Sequence, residues 1–232
     1  MMNKFGGNDD NTSTILTVVL VIIIVAILIL LGFWGYTEYK KLDSQTSAKE
    51  AVNEFTTSVT EKNTTKNETT NTDYSNVVNP YDSIQTVSTN TVTTASNTVQ
   101  TYKGFIMVGR IEIPKTKVDL PVLADVTSKS IEASVAVLYG PGLNQPGNTV
   151  IVGHNYRNGM FFSNNAKIQN GDTIYITDTT GNRISYKVYN TYVTTPEDAE
   201  YMTRDTKGAT EISLSTCTDD SKGRIIIWAR AE

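Results

Sequence analysis

The chain has 232 residues, 39% hydrophobic and 19% charged, with 20 basic against 24 acidic side chains and a formal charge of −4. That balance argues against a nucleic-acid binder, which carries a basic excess. One Cys and one His exclude an intramolecular disulfide framework and leave a zinc site dependent on carboxylates, so no metal site is expected.

Ile15–Trp34 is an uncharged run, ILTVVLVIIIVAILILLGFW. A helix of about twenty residues at about 1.5 Å rise spans about 30 Å, the thickness of a bilayer's hydrocarbon core. A cleaved signal peptide needs a shorter apolar region and a small-x-small site, which does not follow Trp34. We therefore expect an uncleaved transmembrane anchor over 15–34, preceded by a cytoplasmic tail over 1–14. The lysine count points the other way. Lys4 precedes the span while Lys40, Lys41 and Lys49 follow it, which by the positive-inside rule would place the C-terminal part in the cytoplasm.

Residues 35–101 read as a juxtamembrane segment and stalk. Up to residue 55 a short polar helix is compatible with the sequence. From Thr56 to Thr101, 27 of 46 residues are Ser, Thr or Asn. Such a stretch buries too little apolar surface to offset its ordering entropy, so it is expected to be disordered.

Residues 102–232 form the expected folded domain, with 14 basic and 14 acidic residues. Short apolar or alternating runs predict strands at Phe105–Ile113, Val118–Leu123, Thr149–Gly153, Thr173–Thr177, Arg183–Val193, Glu211–Cys217 and Arg224–Arg230. Thr180-Gly181-Asn182 predicts a hairpin turn. Ser128–Val137 has a helix-compatible pattern, and Thr195-Pro196-Glu197-Asp198 reads as the start of a second short helix. The product is a mostly β, closed or nearly closed barrel with one or two short helices.

The lone His ends an apolar strand in Val150-Ile151-Val152-Gly153-His154-Asn155. The lone Cys ends another in Leu214-Ser215-Thr216-Cys217, and Arg224 opens the last strand. Singly, each has a plain structural reading: a small buried thiol, a hydrogen-bonded imidazole, a solvated guanidinium. Together they form a complete set for acyl transfer. An imidazole takes the thiol's proton or stabilises the thiolate, and then protonates a leaving amine. Arg stays cationic and supplies hydrogen bonds to a carbonyl oxygen or oxyanion.

The Leu-Ser-Thr-Cys signature, with Gly153-His154-Asn155 upstream and Arg224-Ile-Ile-Ile downstream beside an anchor and stalk, resembles the sortase family of Gram-positive bacteria. The resemblance covers about residues 102–232. It implies an eight-stranded β-barrel, with Cys217 as nucleophile, His154 as acid/base and Arg224 as the oxyanion- or substrate-positioning residue. Arg230 is the rival, but the family's Arg begins the last strand. The reaction implied is cleavage of a C-terminal sorting signal in secreted surface proteins, followed by transfer to a cell-wall precursor or pilin amine. That substrate logic places the domain outside the membrane, against the lysine count. Asn155, Thr216, Tyr201 and Met202 are the expected substrate-binding residues, with 193–210 forming one wall of the groove.

Gly-His-Asn and Ser-Thr-Cys-Thr are spelled as in class B. With no long helical insertion before the Cys strand and no Asp-Pro-aromatic lid, a compact class A-, D- or E-like barrel is expected. No cofactor is implied. Calcium at Glu197, Asp198 and Glu200 is the one metal reading, and a solvated helix cap explains the same acids. Two other readings stand beside the transpeptidase: a membrane-tethered, non-catalytic β-barrel adhesin or receptor, and a plain cysteine hydrolase. Papain-like enzymes place Cys ahead of His, the reverse of the order here.

Overall fold

The computed structural model describes residues 9–68 and 99–232, and it divides into two compact units meeting at Thr46 and Ser47. The described part of the first unit lies within helix α1, Asp9–Glu68. Every residue from Ile15 to Trp34 is exposed there. Among the described residues α1 is the one helix long and apolar enough to cross a membrane, consistent with a single-pass anchor.

The second unit begins earlier than residue 102. Helix α1 runs on through Thr56, where the Ser/Thr/Asn-rich stretch starts, to Glu68; the expected stalk is helical over 56–68, and residues 1–8 and 69–98 lie outside the described residues. The physical reason is packing. Ala48, Val52, Phe55 and Val59, spaced four, three and four apart, are all buried on one helix face. Ala48 packs with Tyr102, Leu123, Ala133 and Ala136, while Phe55 and Val59 pack on Met107. Arg110 Nη1 donates to Thr56 Oγ1 at 3.4 Å. An isolated helix of this composition is marginal in water, and tertiary burial of its apolar stripe stabilises it. Phe55→Ala is expected to lower the unfolding free energy of this unit by about 3 kcal/mol, read from denaturant midpoints. An unchanged midpoint would show that the helix contributes nothing to the fold.

The remaining strands are β1 (Thr101–Tyr102), β2 (Phe105–Ile113), β3 (Val118–Leu123), β4 (Val135–Tyr139), β5 (Gly147–Val152), β6 (Thr173–Asp178), β7 (Arg183–Thr194), β8 (Thr210–Cys217) and β9 (Arg224–Ala231). Their order is β1-β2-β3-β4-β5-β8-β9-β7-β6, and β2 also pairs with β6. Strands β2–β9 therefore close into an eight-stranded barrel, with the two-residue β1 as an addition at β2. Closure brings Gly109 against Asp178, where a Cβ would collide with the Thr177 carbonyl and the Leu143 side chain. Inward residues such as Ile111, Ile151, Ile176, Leu214 and Ile227 fill the interior, fully buried.

Two predicted helices differ. Helix α2 covers only Ser128–Ala133, and Val135–Tyr139 is the strand β4. A capping box starts α2: Ser130 N–H donates to Thr127 Oγ1 at 3.0 Å, and Thr127 N–H donates to Ser130 Oγ at 2.7 Å. Past Ala133, ladder pairing with β3 and β5 outweighs the helical pattern of Val135–Val137. Thr195–Asp198 is a turn, and the short helix α3 follows at Glu200–Thr203. The Asp198 carboxylate accepts the Glu200 N–H at 2.9 Å and the Thr194 hydroxyl at 2.6 Å, which moves the helical turn downstream.

Candidate active site

Parallel pairing of β5 with β8 sets the site. Val152 lies opposite Ser215, and the ladder extends past the strand ends: Gly153 N–H donates to Ser215 O at 3.3 Å, and Thr216 Oγ1 donates to Gly153 O at 2.7 Å. One step further, His154 and Cys217 stand at corresponding positions on neighbouring strands. Period-2 alternation puts Val152 and His154 on the same face as Ser215 and Cys217. Gly153 precedes the imidazole because a Cβ there would stand 2.7 Å from Val135 Cγ1 and 3.0 Å from the Phe162 ring.

The guanidinium arrives from the other side of β8. Antiparallel pairing with β9 sets Cys217 opposite Arg224, and Arg224 Nη1 donates to Cys217 Sγ at 2.8 Å. The turn between them is self-bonded. Thr218 N–H donates to Gly223 O at 3.0 Å, Gly223 N–H to Thr218 Oγ1 at 2.9 Å, and Lys222 N–H to Asp220 Oδ1 at 3.1 Å. Hydrogen bonds from Thr218 and from the Lys222 N–H hold the Asp220 carboxyl below the usual carboxylate range. The turn therefore keeps its register at neutral pH. Arg230, the rival, lies at the far end of β9, where its Nε donates to Glu211 Oε1 at 2.7 Å.

His154, Cys217 and Arg224 line one cleft of about 370 Å³. Tyr201 and Met202 of α3 form part of its wall with Pro196 and Ala199, and Val126, Ile131 and Leu138 line it too. Tyr201 is buried, with its hydroxyl 3.4 Å from Ser215 Oγ. Those last three apolar residues escaped the sequence reading. Their signal was faint: single apolar side chains between β3 and β5, indistinguishable from core without the topology.

Two of the expected substrate contacts have other partners here. Asn155 Nδ2 donates to Cys217 O at 3.0 Å and to Asp219 Oδ1 at 2.8 Å, tying the segment after His154 to the turn after Cys217. Thr216 also lines the cleft, and its hydroxyl bonds Gly153, as given above. The acids Glu197, Asp198 and Glu200 act as the turn described for Asp198, whose carboxyl the Thr194 hydroxyl and Glu200 N–H hold below its ordinary range. Among the described residues no cluster of three His, Cys, Asp or Glu side chains is placed to hold a metal.

A closed barrel carrying a half-buried thiol between an imidazole strand and a guanidinium strand defines a sortase-type domain. A family model described as the sortase domain matches residues 111–232, more than half of the chain. The chain belongs to the sortase family. It is 33% identical over 124 residues to "Sortase A" of Bacillus anthracis, an alignment covering 52% of this chain and 58% of that protein, so it spans less than two thirds of that relative's length. Among solved structures, the lid mutant of sortase A from Corynebacterium diphtheriae is similar at 28% identity with a TM-score of 0.51, covering 55% of this chain and 71% of that one. A Clostridium perfringens sortase D5 transpeptidase is similar at 27% identity with a TM-score of 0.50, covering 55% and 79%.

Proposed function

We propose that the protein is a membrane-anchored cysteine transpeptidase that cleaves the C-terminal sorting signal of secreted surface proteins and passes the acyl group to a cell-wall or pilin amine. The observation carrying this reading is the Arg224–Cys217 contact in the cleft that also holds His154.

The chemistry follows from the placement. The Cys217 thiolate, stabilised by the guanidinium, attacks the scissile carbonyl carbon. Charge moves from sulfur to oxygen, and the Arg224 donor that held the sulfur is within reach of the oxyanion. Collapse breaks the C–N bond, His154 gives its proton to the departing amine, and a thioester on Cys217 remains. An acceptor amine then attacks that thioester while His154 takes its proton back, which re-forms an amide and the thiolate. Transfer outpaces hydrolysis where the cleft holds the amine in line and water does not compete. The substrates meet outside the membrane, so the barrel is read as extracytoplasmic.

Arg224→Ala is expected to lower kcat about a hundredfold or more, the usual loss of one oxyanion donor. Arg224→Lys keeps the charge but loses the planar fork, and is expected to recover only part of the rate. Steady-state kinetics on a peptide substrate checks both.

The test of the function is product analysis. The full-length chain in detergent micelles is incubated with a library of sorting-signal peptides and amine acceptors, and mass spectrometry identifies the products. Peptides joined to the amine are expected. Hydrolysed peptides alone, with every acceptor, would leave a hydrolase. Intact peptides throughout, from a folded protein, would favour the non-catalytic adhesin reading.

A further inference from the structure

Outer-face residues of β8 follow one another as Cys217, Ser215, Ser213 and Glu211, and the far end of this row carries a polar cluster that the proposed reaction does not use. The Glu211 side chain is fully buried. It accepts from Arg204 Nη1, from Tyr189 Oη at 2.7 Å and from Arg230 Nε at 2.7 Å. Burial alone would push its carboxyl up, but hydrogen bonds from Tyr189, Arg204 and Arg230 hold it below the ordinary carboxylate range. Arg204 also donates from Nη2 to Asn148 Oδ1 at 3.0 Å, and its guanidinium lies 4.7 Å from the Trp228 ring centre.

The chain of contacts ends on α3. Asn148 Nδ2 donates to Tyr201 O at 2.9 Å and to Met202 O at 3.0 Å. Its Oδ1 is fixed by Arg204 and by Ser213 Oγ at 2.8 Å, so the amide is held in one orientation. Helix α3 has four residues, and the side-chain hydrogen bond described at its start is the one from the Glu200 N–H to Asp198. A single turn of helix does not hold itself in water. Tyr201 and Met202 nevertheless form a wall of the Cys217 cleft, so something outside α3 must place them.

We infer that Asn148, Arg204 and Glu211 are positioning residues. Through the carbonyls of Tyr201 and Met202 they set the wall of the cleft against which the sorting peptide lies, and so govern peptide recognition rather than the acyl-transfer chemistry. This rests on the transpeptidase reading above. Glu211 lies six residues from Cys217 along β8, about 20 Å at the rise of a strand, which keeps it clear of the reacting atoms.

The test uses the full-length chain in detergent micelles with Asn148→Ala, which deletes the two carbonyl contacts and leaves the buried Glu211 with all its donors. Loss of two hydrogen bonds is expected to raise KM for the sorting peptide about tenfold. The kcat and the rate of Cys217 alkylation by iodoacetamide should stay within about twofold, since neither needs α3. Chymotrypsin should cut after Tyr201 faster than in the parent, with other sites unchanged. An unchanged KM with unchanged cleavage at Tyr201 would overturn the inference, and so would faster cleavage throughout the barrel, which marks a merely structural role. Arg204→Lys, which keeps the charge at Glu211 and loses the fork to Asn148, should move KM and the Tyr201 cut in the same direction. If the parent protein neither joins nor cleaves any peptide, the transpeptidase reading has failed by itself. The Tyr201 cleavage then decides whether the cluster holds α3.

Discussion

Cys217→Ala is expected to abolish peptide cleavage and transfer, with a loss of a thousandfold or more and no residual amine-joined product. In the proposed reaction the substitution removes the atom that forms the covalent bond, and neither His154 nor Arg224 supplies a substitute nucleophile. Knocking out the nucleophile of such a constellation removes nearly all its rate, and the remainder comes from binding and oxyanion stabilisation alone. The fold should survive. Cys217 is half-buried at the end of β8, and its carbonyl contact with Asn155 and its pairing opposite Arg224 are backbone features that alanine keeps. Equal thermal unfolding of the two proteins, alongside lost turnover by mass spectrometry, checks both halves. Retained turnover would move the chemistry away from the thiol.

His154→Ala is expected to cost between about a hundredfold and ten-thousandfold in kcat, the range of a positioned acid–base group. Two steps of the proposed reaction need the imidazole: protonation of the leaving amine and deprotonation of the acceptor. The structure favours this residue because parallel register between β5 and β8 aligns it with Cys217, and Thr216 and Gly153 lock that register. The ring also lies 4.9 Å from Tyr156, which limits its rotation. A small amine acceptor of low pKa, already deprotonated, should recover part of the second step but none of the first. Kinetics with paired acceptors separate the two. A loss smaller than tenfold would remove His154 from the mechanism.

Much of this arrangement is legible in the chain. β2 and β3 match their predicted runs, and β5–β9 fall within two residues of theirs, because short apolar or alternating runs bounded by turn residues mark them. His154, Cys217 and Arg224 stand out because each closes or opens such a strand and the first two are unique of their kind. Strand β4 was hidden: Ser128–Val137 carries a helical pattern, and only pairing with β3 and β5 reveals where the helix stops. The helix over 56–68 was hidden for a different reason. Its Ser, Thr and Asn content signals disorder, while among the described residues the buried apolar ones on this helix are Ala48, Val52, Phe55 and Val59, and three of them precede Thr56.

The site was only half readable for a related reason. The catalytic candidates announce themselves by residue type, but what holds them depends on contacts across the sheet. Asn155 looks like a substrate ligand from its place beside His154, yet its amide is spent on Cys217 O and Asp219. Glu211 looks like an ordinary strand-end acid, yet it is the centre of the cluster reaching Tyr201 and Met202. Neither role is visible until β5, β8 and β9 are set in register.

The central claim is that Cys217 carries the acyl group. The direct measurement is mass spectrometry of the full-length protein quenched during turnover of a cleaved peptide and digested with trypsin. The fragment spanning residues 208–222 should gain the mass of the peptide's N-terminal acyl portion, and hydroxylamine should remove it, as expected of a thioester. An unmodified 208–222 fragment from protein quenched while the same peptide is being cut, under conditions that withhold the acceptor amine, would contradict the account.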